Sequence, residues 1–349
     1  MVSKEVRLAV VGLGGWGKNV VRSFGAARNC SMAYVCDASP ASLAAQRAAF
    51  PRAKATDSYS EVLGDAAVDA VAIATPATMH FEMAKAALLA GKHVYVEKPM
   101  TLTEPHAVEL VELSDRVGRK LMVGHLLEYH PAVDLIKREI DSGTLGEIHY
   151  MYCQRLNLGV VRQDENAFWS LAPHDVSIIL YLFGAEPDRI VATGERYLQS
   201  EVEDVVFVNM HFPDGRMAQI HVSWLDPNKE RKMVVVGSRK MLVFDDMQPS
   251  EKIRIFDKGA SIKPDGVSSM NAISIRHGDI FIPHLPTTQP LDIETQHFID
   301  SIVNDTVPRS DGRDGLRVVR ILEQVHQQLR AGLRIGAGHR EQPLHRRAA

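Results

Sequence analysis

The sequence predicts an α/β chain in two parts: a doubly wound domain on a parallel sheet, then an α+β domain with an open, mainly antiparallel sheet. Three observations predict it. Over residues 1–125 short apolar runs alternate with helical stripes, as a parallel sheet with crossover helices demands. Beyond Pro131, runs rich in β-branched and aromatic residues follow one another across short turns, the pattern of antiparallel neighbours. The cluster Gly12-Leu13-Gly14-Gly15-Trp16-Gly17 stands where the first apolar run meets the first helical stripe. The chain has 349 residues, which at roughly 150 residues per domain suits two domains. The boundaries read as 1–125, 126–336 and a basic, solvated tail at 337–349 carrying Arg340, Arg346 and Arg347.

Taken in order, Arg7 to Val11 forms the first strand, Val20, Val21 and Phe24 the stripe of the first helix, and Met32 to Cys36 a second strand ending in Asp37. Ala70 to Ala74 is a strand stopped by Thr75-Pro76. Met79 to Ala90 is a helix closed by Gly91, because glycine takes the left-handed conformation that ends a helix. His93 to Val96 is the next strand. Thr103 suits an N-cap with Pro105 in the first turn, and that helix stops at Gly118 before the strand Lys120 to Val123. In the second half, Ile148 to Arg155, Ile190 to Tyr197, Val205 to Phe212 and Met217 to Trp224 read as strands, the last two joined by the turn Pro213-Asp214-Gly215. Met233 to Val236 and Met241 to Phe244 form a further hairpin, giving one sheet of about six strands with a helix near Pro173 to Phe183. Helices at Glu294 to Val303 and Gly312 to Leu333 close the second domain.

Lys and Arg total 40 against 43 Asp and Glu, a formal charge of −3. No bulk positive field exists to hold nucleic acid or an anionic membrane, so an acidic ligand must be gripped locally. Cys30, Cys36 and Cys153 lack metal-ligand spacing and read as packing residues in a reducing compartment; no metal is expected. No stretch reaches the roughly 18 apolar residues of a membrane span. Leu8 to Val11, ending at Gly12, is too short for a signal peptide, so the expected location is the cytoplasm.

The glycine cluster fits GxGxxG after a strand and before a helix. Gly12 can turn the chain, Gly14 can admit a pyrophosphate and Gly17 can let helix and strand approach. Phosphate would then meet free N–H groups and the positive end of a helix. Asp37 ends the second strand, where a carboxylate can accept both hydroxyls of a ribose. Its charge repels a 2′-phosphate, so this Rossmann-type domain is expected to take NAD. Leu13, Gly15, Trp16, Thr75, Pro76, His80, Glu97, Lys98 and Trp169 are the further candidate cofactor contacts.

Glu97-Lys98-Pro99 puts a lysine at the carboxyl end of a strand, on the edge where ligands of open α/β sheets bind. A partly desolvated ammonium there is closer to neutral and suited to exchange a proton with a hydroxyl. The glycine cluster, Ala74-Thr75-Pro76, Gly91-Lys92-His93-Val94 and Glu97-Lys98-Pro99 together resemble the Gfo/Idh/MocA family of NAD(P)-dependent sugar oxidoreductases. That resemblance implies that Lys98 works with a histidine on a helix of the second domain, matched here by His174 in Ala172-Pro173-His174-Asp175. The family's polyol dehydrogenases carry an Asp four residues before that histidine; this chain has Ser170.

Trp169-Ser170-Leu171-Ala172-Pro173-His174-Asp175 and Gly124-His125-Leu126-Leu127-Glu128-Tyr129-His130-Pro131 resemble instead the subgroup that oxidises the 3-hydroxyl of UDP-N-acetylglucosamine or its uronate. This resemblance implies a 3-keto product handed to a pyridoxal phosphate aminotransferase in amino-sugar synthesis for lipid A or a surface polysaccharide. Lys98 and His174 are the catalytic candidates, either of which can be the base. Arg155, Asn157, Arg162 and Asn166, with Lys98 and His174, are the candidates for holding the UDP-sugar. The uncarboxylated sugar is preferred over the uronate. Rival readings are a free sugar or polyol dehydrogenase, an NAD-dependent glycosidase, and a non-enzymatic NAD sensor. The antiparallel sheet needs its outer face covered, so a homodimer or homotetramer is expected.

Overall fold

The computed structural model describes residues 5–262 and 273–336. The first half alternates strictly: β1 (Val6–Val11), α1 (Gly17–Ala26), β2 (Cys30–Cys36), α2 (Pro40–Ala49), β3 (Lys54–Thr56), α3 (Tyr59–Gly64), β4 (Ala70–Ile73), α4 (Ala77–Leu89), β5 (His93–Glu97), α5 (Glu104–Val117) and β6 (Leu121–Gly124). The sheet order is β3-β2-β1-β4-β5-β6 and every neighbouring pair is parallel. Strand order reverses between β1 and β4, so their carboxyl ends open the crevice at which ligands of this architecture bind. Helices cover both faces, which buries β4 and β6 completely and explains why they read as unbroken apolar runs. Gly91 and Gly118 end α4 and α5 with φ of +72° and +63°.

The second half begins differently from its sequence reading. Pro131 opens a helix, α6 (Pro131–Asp141), because a proline at the first helical position gives up an N–H that has no partner there anyway. His130 caps this helix by accepting the Ala132 N–H through Nδ1 at 3.0 Å. There follow β7 (Ile148–Leu156), α7 (Ala167–Leu171), α8 (Pro173–Phe183), β8 (Arg189–Glu195), β9 (Val205–His211), β10 (Met217–Ser223), β11 (Glu230–Gly237), β12 (Met241–Asp245), β13 (Ile253–Phe256), β14 (Gly259–Ile262), β15 (Ile273–Arg276), β16 (Ile280–Phe281), α9 (Pro290–Val303) and α10 (Gly312–Gly336). Eight strands, where about six are expected from sequence, form one sheet in the order β16-β13-β12-β11-β7-β10-β9-β8, antiparallel except at β7 and β10. The additional β13 and β16 have four and two residues, too few for alternation to show in the sequence.

The inner face of this sheet packs on α8, sharing Cys153, Val208, Ile220 and Val235 with Ile178, Ile179 and Leu182 in one apolar core. Its outer face leaves Tyr150, Phe207 and Met217 exposed. The last two helices do not serve this sheet alone. Phe298 of α9 fills the gap beside Phe24 and Tyr95 of the first half, its ring centroid 5.9 Å from that of Tyr95 in an edge-to-face contact. Along α10, Val319 joins the first half's core and Val325 the second's. Thr103 occupies the N-cap position of α5 without a side-chain bond, and Glu323 of α10 accepts the Glu104 N–H instead at 2.8 Å.

Among the described residues no helix is long and apolar enough to cross a membrane, and no group of side chains is arranged to hold a metal ion. Cys36 and Cys153 are buried, Cys30 half-buried, and all three are free thiols. The basic stretch 337–349 lies outside the described residues.

Candidate functional site

The glycine cluster separates into two kinds. Gly12 has φ +88° and a Cβ there would lie 2.6 Å from the Ala74 carbonyl oxygen, while one on Gly17 would collide with the Gly12 carbonyl. Those two are required by the turn and by helix-to-strand packing. A Cβ on Gly14 or Gly15 would meet nothing within 4 Å, so packing gives no reason for their bareness. They stand just before α1, whose first turn carries no acidic residue. That is a cradle for a phosphate, and it fits a dinucleotide.

Asp37 holds this loop in shape, its two oxygens accepting the Leu13 N–H at 2.6 Å and the Ser39 N–H at 2.7 Å. Each oxygen keeps a lone pair, enough for the ribose role expected of it. The Trp16 indole N–H donates to Glu97 Oε1 at 2.7 Å, tying the glycine loop to the end of β5. The Tyr95 hydroxyl lies 3.1 Å from Glu97 and 3.0 Å from Glu294, and its one proton cannot serve two carboxylates. Burial drives the Glu294 carboxyl far above its usual range, so Glu294 keeps a proton for Tyr95, and Tyr95 donates to Glu97. Burial also raises Glu97, against the pull of Trp16 and Tyr95.

Lys98 follows at a cis peptide bond to Pro99 and crosses to the second half, where Nζ donates to the Ser170 carbonyl at 3.2 Å. Its pKa is lowered, first by desolvation, with Glu165 and Glu97 opposing and Arg155 and Arg162 adding to the fall. His174 stands in the first turn of α8, one turn beyond Ser170, with Nδ1 buried and unpartnered. Burial first, then the charges of Lys98, Arg155, His125 and Arg231, hold its pKa well below the usual value, so the ring is a neutral base. Fold and site thus bring together the two residues assigned to chemistry from sequence.

His125, at the end of β6, is buried with neither ring nitrogen partnered, and burial drops its pKa from 6.5 to about 3. Between those two pH values the unfolded chain carries a proton on this side chain that the native one lacks, so its contribution to stability falls with falling pH. Wild type therefore loses stability relative to His125→Phe by about 1.4 kcal/mol per pH unit below about pH 6. Urea unfolding of both proteins between pH 7 and pH 5 checks this; a pH-independent difference would contradict it.

Other sequence candidates take different places. His80 lies between two turns rather than facing a cofactor, its Nδ1 2.8 Å from the Pro99 carbonyl and Nε2 2.9 Å from that of Thr75; burial favours the neutral ring, whose one N–H donates to one of the two carbonyls. Arg155, expected to grip the substrate, is buried with Nε and Nη2 on the Asp175 carboxylate at 2.8 and 2.9 Å. Asn166 caps α7 by accepting the Trp169 N–H at 3.1 Å and donates to Glu203 at 2.8 Å, so its amide is committed to local structure. Asn157 is half-buried at the end of β7, its backbone N–H on the Ser223 carbonyl at 3.0 Å. Arg162 binds Asp164 and Glu165 on the wall of a crevice of about 600 Å³ that Pro76, Trp169 and Arg196 also line. Sequence reasoning missed Arg231, which stands opposite Arg155 across β11 and β7. No local signal marks it, because Lys229-Glu230-Arg231-Lys232 looks like any solvated charge run.

Residues 6–125 match the oxidoreductase family described by its NAD-binding Rossmann fold, and residues 133–243 match the Gfo/Idh/MocA C-terminal domain. The UDP-N-acetylglucosamine 3-dehydrogenase of Acidithiobacillus ferrooxidans is 27% identical over 330 residues, 94% of this chain and 99% of that one. Its solved structure superposes with a TM-score of 0.78 over 94% of this chain and 99% of that one. The scyllo-inositol 2-dehydrogenase (NAD(+)) of Bacillus subtilis is equally similar, 27% identical over 87% of this chain and 88% of its own. The WlbA dehydrogenase of Bordetella pertussis, solved with NADH and UDP-GlcNAcA, shares the fold at a TM-score of 0.75 and 23% identity over 94% of this chain and 97% of that one. Equal likeness to a nucleotide-sugar enzyme and a polyol enzyme leaves the choice of substrate to the site. With both halves matched in order and the cofactor cradle intact, the chain belongs to the Gfo/Idh/MocA family of NAD-binding oxidoreductases.

Proposed function

We propose that the chain oxidises the 3-hydroxyl of UDP-N-acetylglucosamine to the 3-keto nucleotide sugar. The observation that carries this reading is Lys98 Nζ donating to the Ser170 carbonyl, one helical turn before a neutral His174. A hydroxyl set between those two side chains can give its proton to either. Ser170 cannot take that proton at neutral pH, so the Lys-Asp-His group of polyol dehydrogenases is not available.

NAD, held by the loop from Gly12 to Gly17 and by Asp37, supplies the hydride acceptor when bound. Lys98, whose pKa desolvation lowers, orients the hydroxyl and in its unprotonated form accepts its proton, and His174 relays that proton outward. Trp169, only 9% exposed beside Pro76, keeps water from the nicotinamide side. The keto product is the natural substrate of a pyridoxal phosphate aminotransferase, and a second copy of the chain seats on the apolar outer face of the second sheet.

The test is NADH formation with UDP-N-acetylglucosamine, with its uronate, and with free N-acetylglucosamine or scyllo-inositol. Because the oxidation is unfavourable, it is coupled to a 3-aminotransferase. We expect turnover of the nucleotide sugars, with UDP-N-acetylglucosamine the better substrate. A higher kcat/KM on a free sugar or polyol would overturn the reading, and release of an aglycone without net NADH would favour a glycosidase.

A further inference from the structure

A nucleotide sugar brings negative charge that must be met somewhere, and the crevice containing Arg162 is poorly suited to it. Arg162 is paired with Asp164 and Glu165, Arg196 with Glu203, and Glu201 and Glu323 line the same walls. An anion entering there meets more carboxylates than cations.

On the β7 side of Lys98 the balance reverses. Arg231 of β11 is the direct antiparallel partner of Arg155 on β7, so the two side chains leave the same face of the sheet with Cβ atoms ~5 Å apart. Like charges so placed repel. Asp175 neutralises Arg155 through both its oxygens, but the Arg231 guanidinium makes no hydrogen bond or ion pair among the described residues, and the residue stays exposed. The other acid near it, Asp246, is paired with Lys252 at 2.8 Å. Glu97 is occupied by Trp16 and Tyr95. Arg231 is therefore a cation without a side-chain partner whose charge, with that of Lys98, reaches neutral His174, in a chain whose overall charge is −3.

We infer that Arg231 is an anion-recognition residue of the active site, receiving a phosphate or carboxylate group of the nucleotide-sugar substrate. The inference rests on the nucleotide-sugar reading above and deepens it. A planar guanidinium with no protein partner presents two parallel N–H donors to such a group, and the group in turn relieves the repulsion between Arg231 and Arg155. Phosphate and carboxylate are alike in this chemistry, and the two nucleotide sugars separate them.

The experiment compares wild type, Arg231→Gln and Arg231→Lys. It measures kcat and KM for UDP-N-acetylglucosamine, its uronate and free N-acetylglucosamine, and reads NAD binding by fluorescence and folding by thermal melting. Arg231→Gln is expected to raise KM for the charged substrates about 10- to 100-fold, with kcat within a few-fold and melting and NAD affinity unchanged. Arg231→Lys restores part of the loss. An equal rise for both nucleotide sugars assigns the anion as phosphate; a rise confined to the uronate assigns it as the sugar carboxylate. If wild type turns over a nucleotide sugar and Arg231→Gln leaves its KM unchanged, the inference fails and the proposed function stands. If wild type turns over only the uncharged sugar, the proposed function fails and the inference falls with it.

Discussion

Lys98→Ala lowers kcat/KM by about 10³-fold while NAD affinity stays within a few-fold of wild type. The size follows from what is removed: the group beside the hydroxyl and the link from the first half to the Ser170 carbonyl. Lys98→Arg tells the two functions of the ammonium apart. Arginine keeps the charge but does not lose a proton near neutral pH, so a base at this position predicts that Lys98→Arg is as inactive as Lys98→Ala. Recovery to within tenfold of wild type would instead make Lys98 an orienting cation and His174 the base. The pH profile carries the same test. A base must be unprotonated, so kcat/KM rises with pH and levels off above the pKa of Lys98, which desolvation moves down from its usual 10.5. His174, held well below 6.5, contributes no limb near neutrality.

Asp175→Ala destabilises the fold by about 3–5 kcal/mol, because it leaves the buried guanidinium of Arg155 without its partner. The pair holds α8 against β7 at the turn that carries His174, so the loss is felt at the site as well as in the core. Replacing both partners together, as Arg155→Met with Asp175→Leu, recovers most of that stability, since no charge is then stranded in the interior. Urea denaturation of the two variants and wild type decides it. A single-variant loss under about 1 kcal/mol would mean that water reaches Arg155 and that the pair contributes as little as a surface pair.

Most of the first half was legible because its structure is local, although α2, β3 and α3 were not read residue by residue. A strand buried on both faces must be apolar throughout, a helix must be striped, and Gly12 and Gly17 occupy positions where a side chain has no room. In the second half, α6 was hidden by Pro131, which reads as a break unless it is recognised as a first helical residue. The strands β13 and β16 were hidden by their brevity. Of the site, Lys98 and His174 were readable from motifs, whereas the partners that set their chemistry were not.

Arg155 and Arg162 looked like equivalent free cations in sequence. Tertiary structure buries the first on Asp175 and sets the second among carboxylates. His80 looked like a cofactor contact and lies instead between two backbone turns.

The sequence by itself determined the two sheets, the dinucleotide cradle and the cofactor, because each depends on short-range sterics and a fixed spacing, and the resemblance of its motifs pointed to Lys98 and His174 as the side chains proposed to react. Only the tertiary structure decided where the charges balance. Asp175 meeting Arg155 across 20 positions, Glu294 meeting Tyr95 across 199, and Arg231 left opposite Arg155 are products of packing and strand register. Electrostatic free energy depends on distance through the folded molecule and on burial, and neither is ordered along the chain.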